Sequence, residues 1–318
     1  MIILKHNSNL KRAVLTLLAL IMTCATAWAQ FGGGDGSPAN PYLINNEIQW
    51  YYFCNALQDN TTWNRFSGRY VKLGADIGTS SNPVTTMAGS DGHDFCGTFD
   101  GNGKTIHINL NSTGDYTAIF RYVSNVGSNS ATIKNLNVVG TVTANAGHKN
   151  AGGLVGACWG VFTIENCHVS TVINSSVEGD GTHGGIVGVQ NSGTLTIRGC
   201  VFDGELIGST TNACAGIVGY RGNSGTTDIY YTLFAPSALT MSDSNSATFV
   251  RNGGTVTNCY YTQPFRSVQG AVAYTRTSTP ANIGAAGTNY GIVQAYANGL
   301  KFNGKYYVGS DSRRLLLF

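Results

Sequence analysis

A short glycine-rich phrase recurs at a nearly constant interval along the middle of this chain. Residues 152–156 read Gly-Gly-Leu-Val-Gly, and close variants occupy residues 184–188 and 215–219. The central apolar residues of these copies and of one degenerate copy are spaced 32, 31 and 32 residues apart. They are Leu154, Ile186, Ile217 and Phe249. Self-similarity at a period of this size predicts a stacked architecture, in which each repeat forms one coil and packs on its neighbours.

The composition indicates that the coils are made of strands. Glycine is abundant, at 42 residues, proline is scarce, at 6, and only 11% of the residues are charged. Together with many β-branched and aromatic residues, this mixture is typical of short strands joined by tight turns. A disordered chain is excluded, because it would be poorer in apolar residues and richer in charge.

A second phrase follows each glycine phrase and predicts a corner in the coil. Between Ile164 and Cys167 the apolar residues change from even to odd positions, and a strand with a period of two needs a bend there. The bend position is Asn or Gly in most copies, and these residue types tolerate left-handed backbone. Its members are Asn135, Asn166, Gly199, Tyr231 and Asn258.

The columns on either side of this corner are expected to face outward. The preceding column contains Lys134, Glu165 and Arg198, so parallel stacking in register places alternating charges about 4.8 Å apart. This regularity favours a parallel β-helix. The following column becomes apolar towards its C-terminal end, which leaves two interpretations: packing beneath another segment, or part of a binding face. Its members are Asn137, His168, Val201, Leu233 and Tyr260.

Residues 1–29 have the pattern of a secretory signal peptide. Three basic residues precede an apolar run over residues 13–25, and Ala27-Trp28-Ala29 offers a cleavage site before Gln30. The alternatives are a membrane anchor, for which the run is short, and lipidation at Cys24. Without this segment, 19 − 3 = 16 Lys and Arg residues balance 16 Asp and Glu residues. The mature chain therefore has no basic footprint for nucleic acid and no predicted membrane span.

Three segments are expected to flank a solenoid of residues 95–263. Residues 30–45 are expected to be a flexible leader, and residues 46–94 to contain an N-terminal cap helix and the first strands. The helix is predicted to begin at an N-cap, Asn45 or Asn46. Its apolar face contains Trp50, Phe53, Cys54 and Leu57.

Residues 264–318 are expected to form a small C-terminal β cap. Strands are predicted near residues 269–274, 290–296 and 306–308, with turns at two Asn-Gly pairs between them. The chain ends on apolar residues, which suggests that its C-terminus is truncated.

Cysteines also occupy a repeat position in the solenoid. Cys167, Cys200 and Cys259 lie where other copies have Leu136 and Thr232. A cysteine that alternates with leucine behaves as a small buried hydrophobe, so we expect free thiols stacked inside the coils. The other four cysteines of the mature chain have no such column, and a disulfide between two of them stays open. They are Cys54, Cys96, Cys158 and Cys214.

The phrases at residues 152–156 and 164–169, and the approach at residues 95–106, resemble the GLUG repeat of bacterial secreted and surface proteins. The resemblance covers about residues 95–263 and implies a right-handed parallel β-helix. Such repeats accompany adhesins and cell-surface modules, and they also occur beside an IgA-cleaving metallopeptidase. They carry no catalytic residues of their own, so none is transferred to this chain.

Searching the residues for chemistry yields no catalytic set, no metal site and no cofactor. The His-Glu-x-x-His string of a metallopeptidase is missing. A glycoside hydrolase needs two carboxylates on one face, for which Asp203 and Glu205 are candidates by residue type alone. Thr182-His183-Gly184 superficially matches a catalytic Gly-His-Gly, but it falls on a position of the repeat and is interpreted as a variant of it.

We therefore predict an all-β protein, a right-handed parallel β-helix with a short N-terminal capping helix and a small C-terminal β cap. Its predicted function is adhesion or recognition of a glycan or an extracellular protein, and its predicted location is outside the bacterial cell. Candidate binding residues are Tyr230, Tyr260 and His168. A polysaccharide-degrading β-helix enzyme and a structural spacer that displays another module are the alternatives.

Overall fold

The computed structural model describes residues 30–111, 114–145, 147–209, 211–241, 243–272, 274–276 and 306–308. Over these residues the chain is a solenoid of about six turns, built of mostly parallel strands, with one short α-helix near the N-terminus. The predicted parallel β-helix is confirmed. The predicted signal peptide lies outside the described residues.

The elements are numbered in chain order. The early coils contain β1 (Tyr42–Ile44), α1 (Glu47–Ala56), a short 3-10 helix (Asn64–Phe66), β2 (Tyr70–Leu73), β3 (Thr98–Asp100), β4 (Thr105–Asn111), β5 (Phe120–Val123), β6 (Ala131–Lys134) and β7 (Asn137–Ala144). The middle coils contain β8 (Val155–Cys158), β9 (Val161–Glu165), β10 (His168–Ser175), β11 (His183–Gly184), β12 (Val187–Arg198), β13 (Val201–Phe202) and β14 (Glu205–Gly208). The later part contains β15 (Cys214–Ala215), β16 (Val218–Tyr230), β17 (Leu233–Phe234), β18 (Ala238–Leu239), β19 (Thr255–Thr257), β20 (Tyr260–Tyr261), β21 (Ala271–Val272), β22 (Tyr274–Arg276) and β23 (Tyr306–Val308).

Equivalent strands of successive coils pair in parallel and in register. One sheet of ten strands has the order β1-β2-β3-β6-β9-β12-β16-β19, and β5 and β8 join it through the first part of β12. A sheet of nine strands has the order β18-β14-β10-β13-β17-β20-β21, and β4 and β7 join it through β10. This arrangement sets equivalent residues of the repeat side by side, one coil apart.

The glycine phrase marks the place where successive coils touch backbone to backbone. The amide of Leu154 donates to Ile186 O at 3.0 Å, Ile186 N donates to Ile217 O at 3.1 Å, and Ile217 N donates to Phe249 O at 3.1 Å. A Cβ atom on Gly153 would lie 2.5 Å from the carbonyl oxygen of Gly185. Glycine is therefore required here for close approach rather than for an unusual dihedral angle.

The predicted corner is confirmed at every copy. Its five residues all have left-handed backbone, with φ values between 49° and 65°. Even Tyr231, the residue type least suited to this conformation, has a φ of 49°. The corner is therefore imposed by the coil, and the local preference of Asn and Gly lowers its cost at the other copies.

The thiols are buried and free, as predicted for the repeat column. All seven cysteines of the described chain are unpaired. Loss of hydration raises the pKa of the Cys259 thiol to about 12, and the pKa of Cys167 is raised well above its usual value for the same reason. These side chains therefore fill space inside the solenoid as neutral groups.

The N-terminal cap contains more of the chain than predicted. Helix α1 is capped by Asn46, whose Oδ1 accepts from Gln49 N at 3.0 Å, and its predicted apolar face is buried. The leader is packed rather than separate from the fold. Phe31 stacks on Tyr42 with ring centroids 4.7 Å apart, and Gly32 N donates to Leu43 O. An aromatic residue within the Gly/Ser-rich leader gives it an apolar contact that the composition alone did not suggest.

At the C-terminal end the solenoid continues to β21, which pairs in parallel with β20. Strands β22 and β23 then pair antiparallel, and the second of them coincides with the predicted strand at 306–308. The strand predicted at 290–296 lies outside the described residues.

Candidate functional site

The charged column before the corner forms a ladder along the ten-stranded sheet. Arg198 Nη2 lies 2.9 Å from Glu165 Oε1, and the two residues are register partners. Lys134 Nζ lies 3.9 Å from Asp100 Oδ2, so the ladder begins one coil earlier than predicted. Tyr230 continues this column and is half-buried.

The column after the corner is stacked in register, but its apolar end is not exposed. Tyr260 is only 2% exposed, and Val201 and Leu233 are fully buried, so the prediction of an exposed ring at Tyr260 is wrong. These three side chains lie outside the main core cluster. Their burial therefore shows that this outer side of the sheet is covered, which favours the packing interpretation over the binding face.

His168, the other candidate from this column, faces a buried carboxylate. Its Nε2 lies 2.8 Å from Asp203 Oδ1, and Asp203 is 1% exposed. The two carboxylates that are candidates by residue type have different surroundings, because Asp203 is buried against His168 whereas Glu205 begins β14 and is half-buried. Tyr230 lies in the other sheet, so the structure does not bring the three predicted binding residues into one site.

A different group of side chains forms a partly exposed aromatic surface. Tyr116, Tyr122 and Trp159, here called the aromatic platform, are all half-buried. The Tyr122 and Trp159 rings are almost parallel, at 7°, with centroids 5.7 Å apart. The Tyr116 ring meets both edge-on, at centroid distances of 5.3 Å and 6.2 Å. Such contacts hold each ring in one orientation before any ligand arrives.

The strand pairing explains how these rings meet. Tyr122 lies in β5, directly opposite Ala157 of β8, and Trp159 follows β8 by one residue. The amide of Trp159 donates to Val123 O at 3.0 Å, which fixes the indole next to β5. Because Ala157 is small, the Tyr122 ring meets no bulky neighbour in its own column and can stack with Trp159.

Polar groups surround the aromatic platform. The Arg121 guanidinium lies over the Tyr122 ring, 5.6 Å from its centroid, and is held there by two hydrogen bonds to Asp115 O, at 3.0 Å and 3.2 Å. Asp115 Oδ1 accepts from Lys149 N. Burial, with smaller contributions from Asp115 and Asp91, raises the pKa of Tyr116. The site therefore combines aromatic surface with a fixed cation and two nearby carboxylates.

Another polar group lies inside the solenoid. His183 Nε2 lies 2.6 Å from Ser175 Oγ, and Asn212 Nδ2 donates to Val177 O at 3.0 Å. All of these residues are buried, and desolvation lowers the pKa of His183 to about 4. A buried neutral imidazole without access for a substrate has a structural role, in agreement with its interpretation as a repeat variant.

Over the residues that the structure describes, no group of three or more His, Cys, Asp or Glu side chains is arranged to hold a metal ion. No helix in that part of the chain is long and apolar enough to cross a membrane.

One signal in the sequence could have revealed the aromatic platform. The residue after the last position of the glycine phrase is Tyr122, Ala157, Val189 and Tyr220 in successive copies, and only two of these are large. A tyrosine that appears where other coils have small residues breaks the repeat and indicates a role other than packing between coils. Trp159 falls outside the repeated phrases, so the periodicity alone does not find it.

The fold has a counterpart among solved structures. The crystal structure of a proposed immunoglobulin A1 protease from Bacteroides ovatus aligns with a TM-score of 0.56 and 19% sequence identity, covering 88% of this chain and 95% of that one. This likeness shows a shared β-solenoid fold. No family model matches the chain.

Similarity in sequence is confined to part of the chain. Over 171 residues, which are 50% of this chain, it is 30% identical to Halomucin from Haloquadratum walsbyi. The match covers 2% of Halomucin, so this chain spans a small fraction of that relative's length.

Proposed function

We propose that this chain is a secreted or cell-surface recognition module of the GLUG-repeat type, and that it binds glycan through Tyr116, Tyr122 and Trp159. The observation that carries the proposal is the aromatic platform itself, in which three half-buried rings are held in place by one another. The signal-peptide pattern and the neutral mature sequence support an extracellular role. Loss of the three basic residues with the predicted signal peptide agrees with a ligand other than nucleic acid.

The chemistry of the platform fits a sugar ring. One face of a pyranose presents C–H groups that pack on an aromatic ring, while hydroxyl groups at its edge need hydrogen-bond donors and acceptors. Trp and Tyr supply the apolar surface, and Arg121 with Asp115 and Asp91 supply donors and acceptors beside it. Because Arg121 is already fixed by Asp115 O, ordering it costs little when the ligand binds.

The test is affinity electrophoresis of the chain from Gln30 in gels that contain xylan, galactomannan, laminarin or pectin. We expect at least one polysaccharide to retard the unaltered chain and Trp159→Ala to lose most of that retardation. Tyr230→Ala is the matched control, a half-buried tyrosine in the charged column of the same ten-stranded sheet. If Tyr230→Ala loses the retardation and Trp159→Ala keeps it, the binding face lies along the charged column instead.

The same mixtures test the enzymatic alternative when they are assayed for new reducing or unsaturated ends. We expect none, since Asp203 is buried against His168 and is not available with Glu205 as a catalytic pair. Cleavage would contradict a purely binding role. Absence of both retardation and cleavage for every polysaccharide would contradict glycan binding and leave protein adhesion or the spacer role.

A further inference from the structure

A second aromatic group lies in the same column as Tyr122. The register partners are Tyr122 with Ala157, Ala157 with Val189, and Val189 with Tyr220. Neighbouring strands are about 4.8 Å apart, so three steps separate the two tyrosines by about 14 Å along the solenoid axis. The outward column of this face thus has a large aromatic residue at each end and two small residues between them.

The Tyr220 end repeats the construction of the Tyr122 end. The Arg251 guanidinium lies over the Tyr220 ring, 5.4 Å from its centroid, as Arg121 does over Tyr122. Arg251 is held by the carbonyl oxygen of Ala213 at 3.1 Å and by Asp180 Oδ1 at 2.9 Å. Asn252 Nδ2 donates to the Tyr220 hydroxyl at 3.2 Å. The ring is half-buried, and both of its partners are anchored, so its position is fixed.

The residues between the two ends offer almost no surface to a ligand that rests on both. Ala157 is fully buried and Val189 is 5% exposed, so both are covered by other residues and neither offers surface to a ligand. A ligand along this line is therefore held at its two ends. A single sugar ring is about the size of one tyrosine ring and cannot reach both.

We infer that Tyr220 is a second contact for the same ligand, and that the site selects extended oligosaccharide chains over mono- and disaccharides. The chain lies parallel to the solenoid axis, with one sugar on the aromatic platform and a later sugar on Tyr220. This inference rests on the proposed glycan binding. Once one sugar of the chain is bound to the aromatic platform, binding of a later sugar to Tyr220 is intramolecular. The second contact therefore raises the affinity of the oligosaccharide.

The test compares disaccharides with hexasaccharides of the xylo-, manno-, laminari- and galacturono- series by isothermal titration calorimetry. For the series that binds, we expect the hexasaccharide to bind at least about tenfold more tightly than the disaccharide, as linked contacts do. Tyr220→Ala should lower the hexasaccharide affinity to that of the disaccharide. Tyr220→Phe is the matched control, since it keeps the ring and removes only the hydroxyl that Asn252 contacts, and it should keep the dependence on length.

The outcomes separate this inference from the proposed function. Equal affinities for short and long oligosaccharides, abolished by Trp159→Ala, would overturn the second contact and keep the first. A dependence on length that Tyr220→Ala leaves unchanged would also overturn it. Failure of all four series to bind would count against both. The dependence on length is measured on the unaltered chain, so the test does not require Tyr220→Ala to fold.

Discussion

The two ends of this solenoid are filled by aromatic rings in different ways. In the N-terminal cap, Phe53 meets Phe66, Phe95 and Trp50 at centroid distances of 5.2 to 5.6 Å, with tilted or edge-on geometry. In the middle and later coils, Phe202, Phe234 and Phe265 stack face to face, 5.9 and 5.8 Å apart. The stack follows from register, because Phe202 and Phe234 are paired residues of adjacent strands.

A repeat and its cap pack aromatic rings under different geometric constraints. A coil that copies its neighbour places equal side chains above one another, so a column can be extended without new geometry. The cap has no such neighbour on its outer side. It brings rings from a helix, a turn and several strands into one cluster, and each ring fits a different gap.

The largest expected effect is at the centre of the cap. Phe53→Ala removes a fully buried ring that touches rings of five other residues, and we expect a loss of about 3–5 kcal/mol in the free energy of unfolding. Urea denaturation followed by tryptophan fluorescence measures it. Tyr51→Ala, at a 46% exposed position of the same helix, is the control and should change stability by less than about 0.5 kcal/mol. Equal losses of stability in Phe53→Ala and Tyr51→Ala would show that the aromatic cluster around Phe53 does not stabilise the cap.

The middle coils should instead be sensitive to acid, because they bury His183. Its pKa is lowered to about 4 in the folded chain, so between pH 6.5 and 4 the unfolded chain binds the extra proton. Stability therefore falls as the pH decreases through this window, by about 3 kcal/mol in total from this group. His183→Gln should remove that part of the pH dependence in urea denaturation at pH 4.5 and pH 7.

The control for this prediction is His148→Gln, which replaces a half-buried loop histidine and should keep the pH dependence of the unaltered chain. An identical pH dependence in both variants would mean that His183 does not titrate as a buried group. His183→Gln is also expected to lower the stability at pH 7, because it changes the hydrogen bond to Ser175. This loss is separate from the change in stability between pH 7 and pH 4.5.

The third prediction concerns the close approach of the glycine phrases. A Cβ atom on Gly185 would lie 2.2 Å from Gly216 O, so Gly185→Ala must separate two coils and should cost about 1–3 kcal/mol. Gly92→Asn is the control, since no atom lies near a Cβ there and Asn tolerates its positive φ of 73°. Thermal unfolding measures both. Equal tolerance at the two sites would contradict backbone contact as the reason for the glycine phrase.

The sequence predicts the repeated positions of the coils better than it predicts the surroundings of a single side chain. The column of Leu154 and Ile186, the corner at Asn166 and the inward thiol of Cys167 recur by register, so spacing alone placed them. Tyr260 was predicted to be exposed, and its burial depends on how the outer side of the sheet is covered, which no repeat encodes.

The aromatic platform escaped prediction for a related reason. Tyr122 lies in the degenerate early copy, two coils without a tyrosine separate it from Tyr220 in its column, and Trp159 lies between two repeated phrases. Only the pairing of β5 with β8 brings Tyr122 and Trp159 together. The core residues of a solenoid recur from coil to coil, whereas its surface residues vary. Periodicity therefore predicts the core well, and it indicates a surface site only where a residue differs from the others in its column.

The smallest expected effect is at the charge ladder on the sheet surface. Arg198→Ala breaks the ion pair with Glu165, whose side chains are 53% and 31% exposed, so solvent screening leaves at most about 0.5 kcal/mol. Arg198→Lys keeps the charge and is the control. The difference between the two variants should shrink as salt increases, since the pair is accessible to ions. A loss as large as that of Gly185→Ala would mean that charges, rather than backbone contact between coils, set the register of this solenoid.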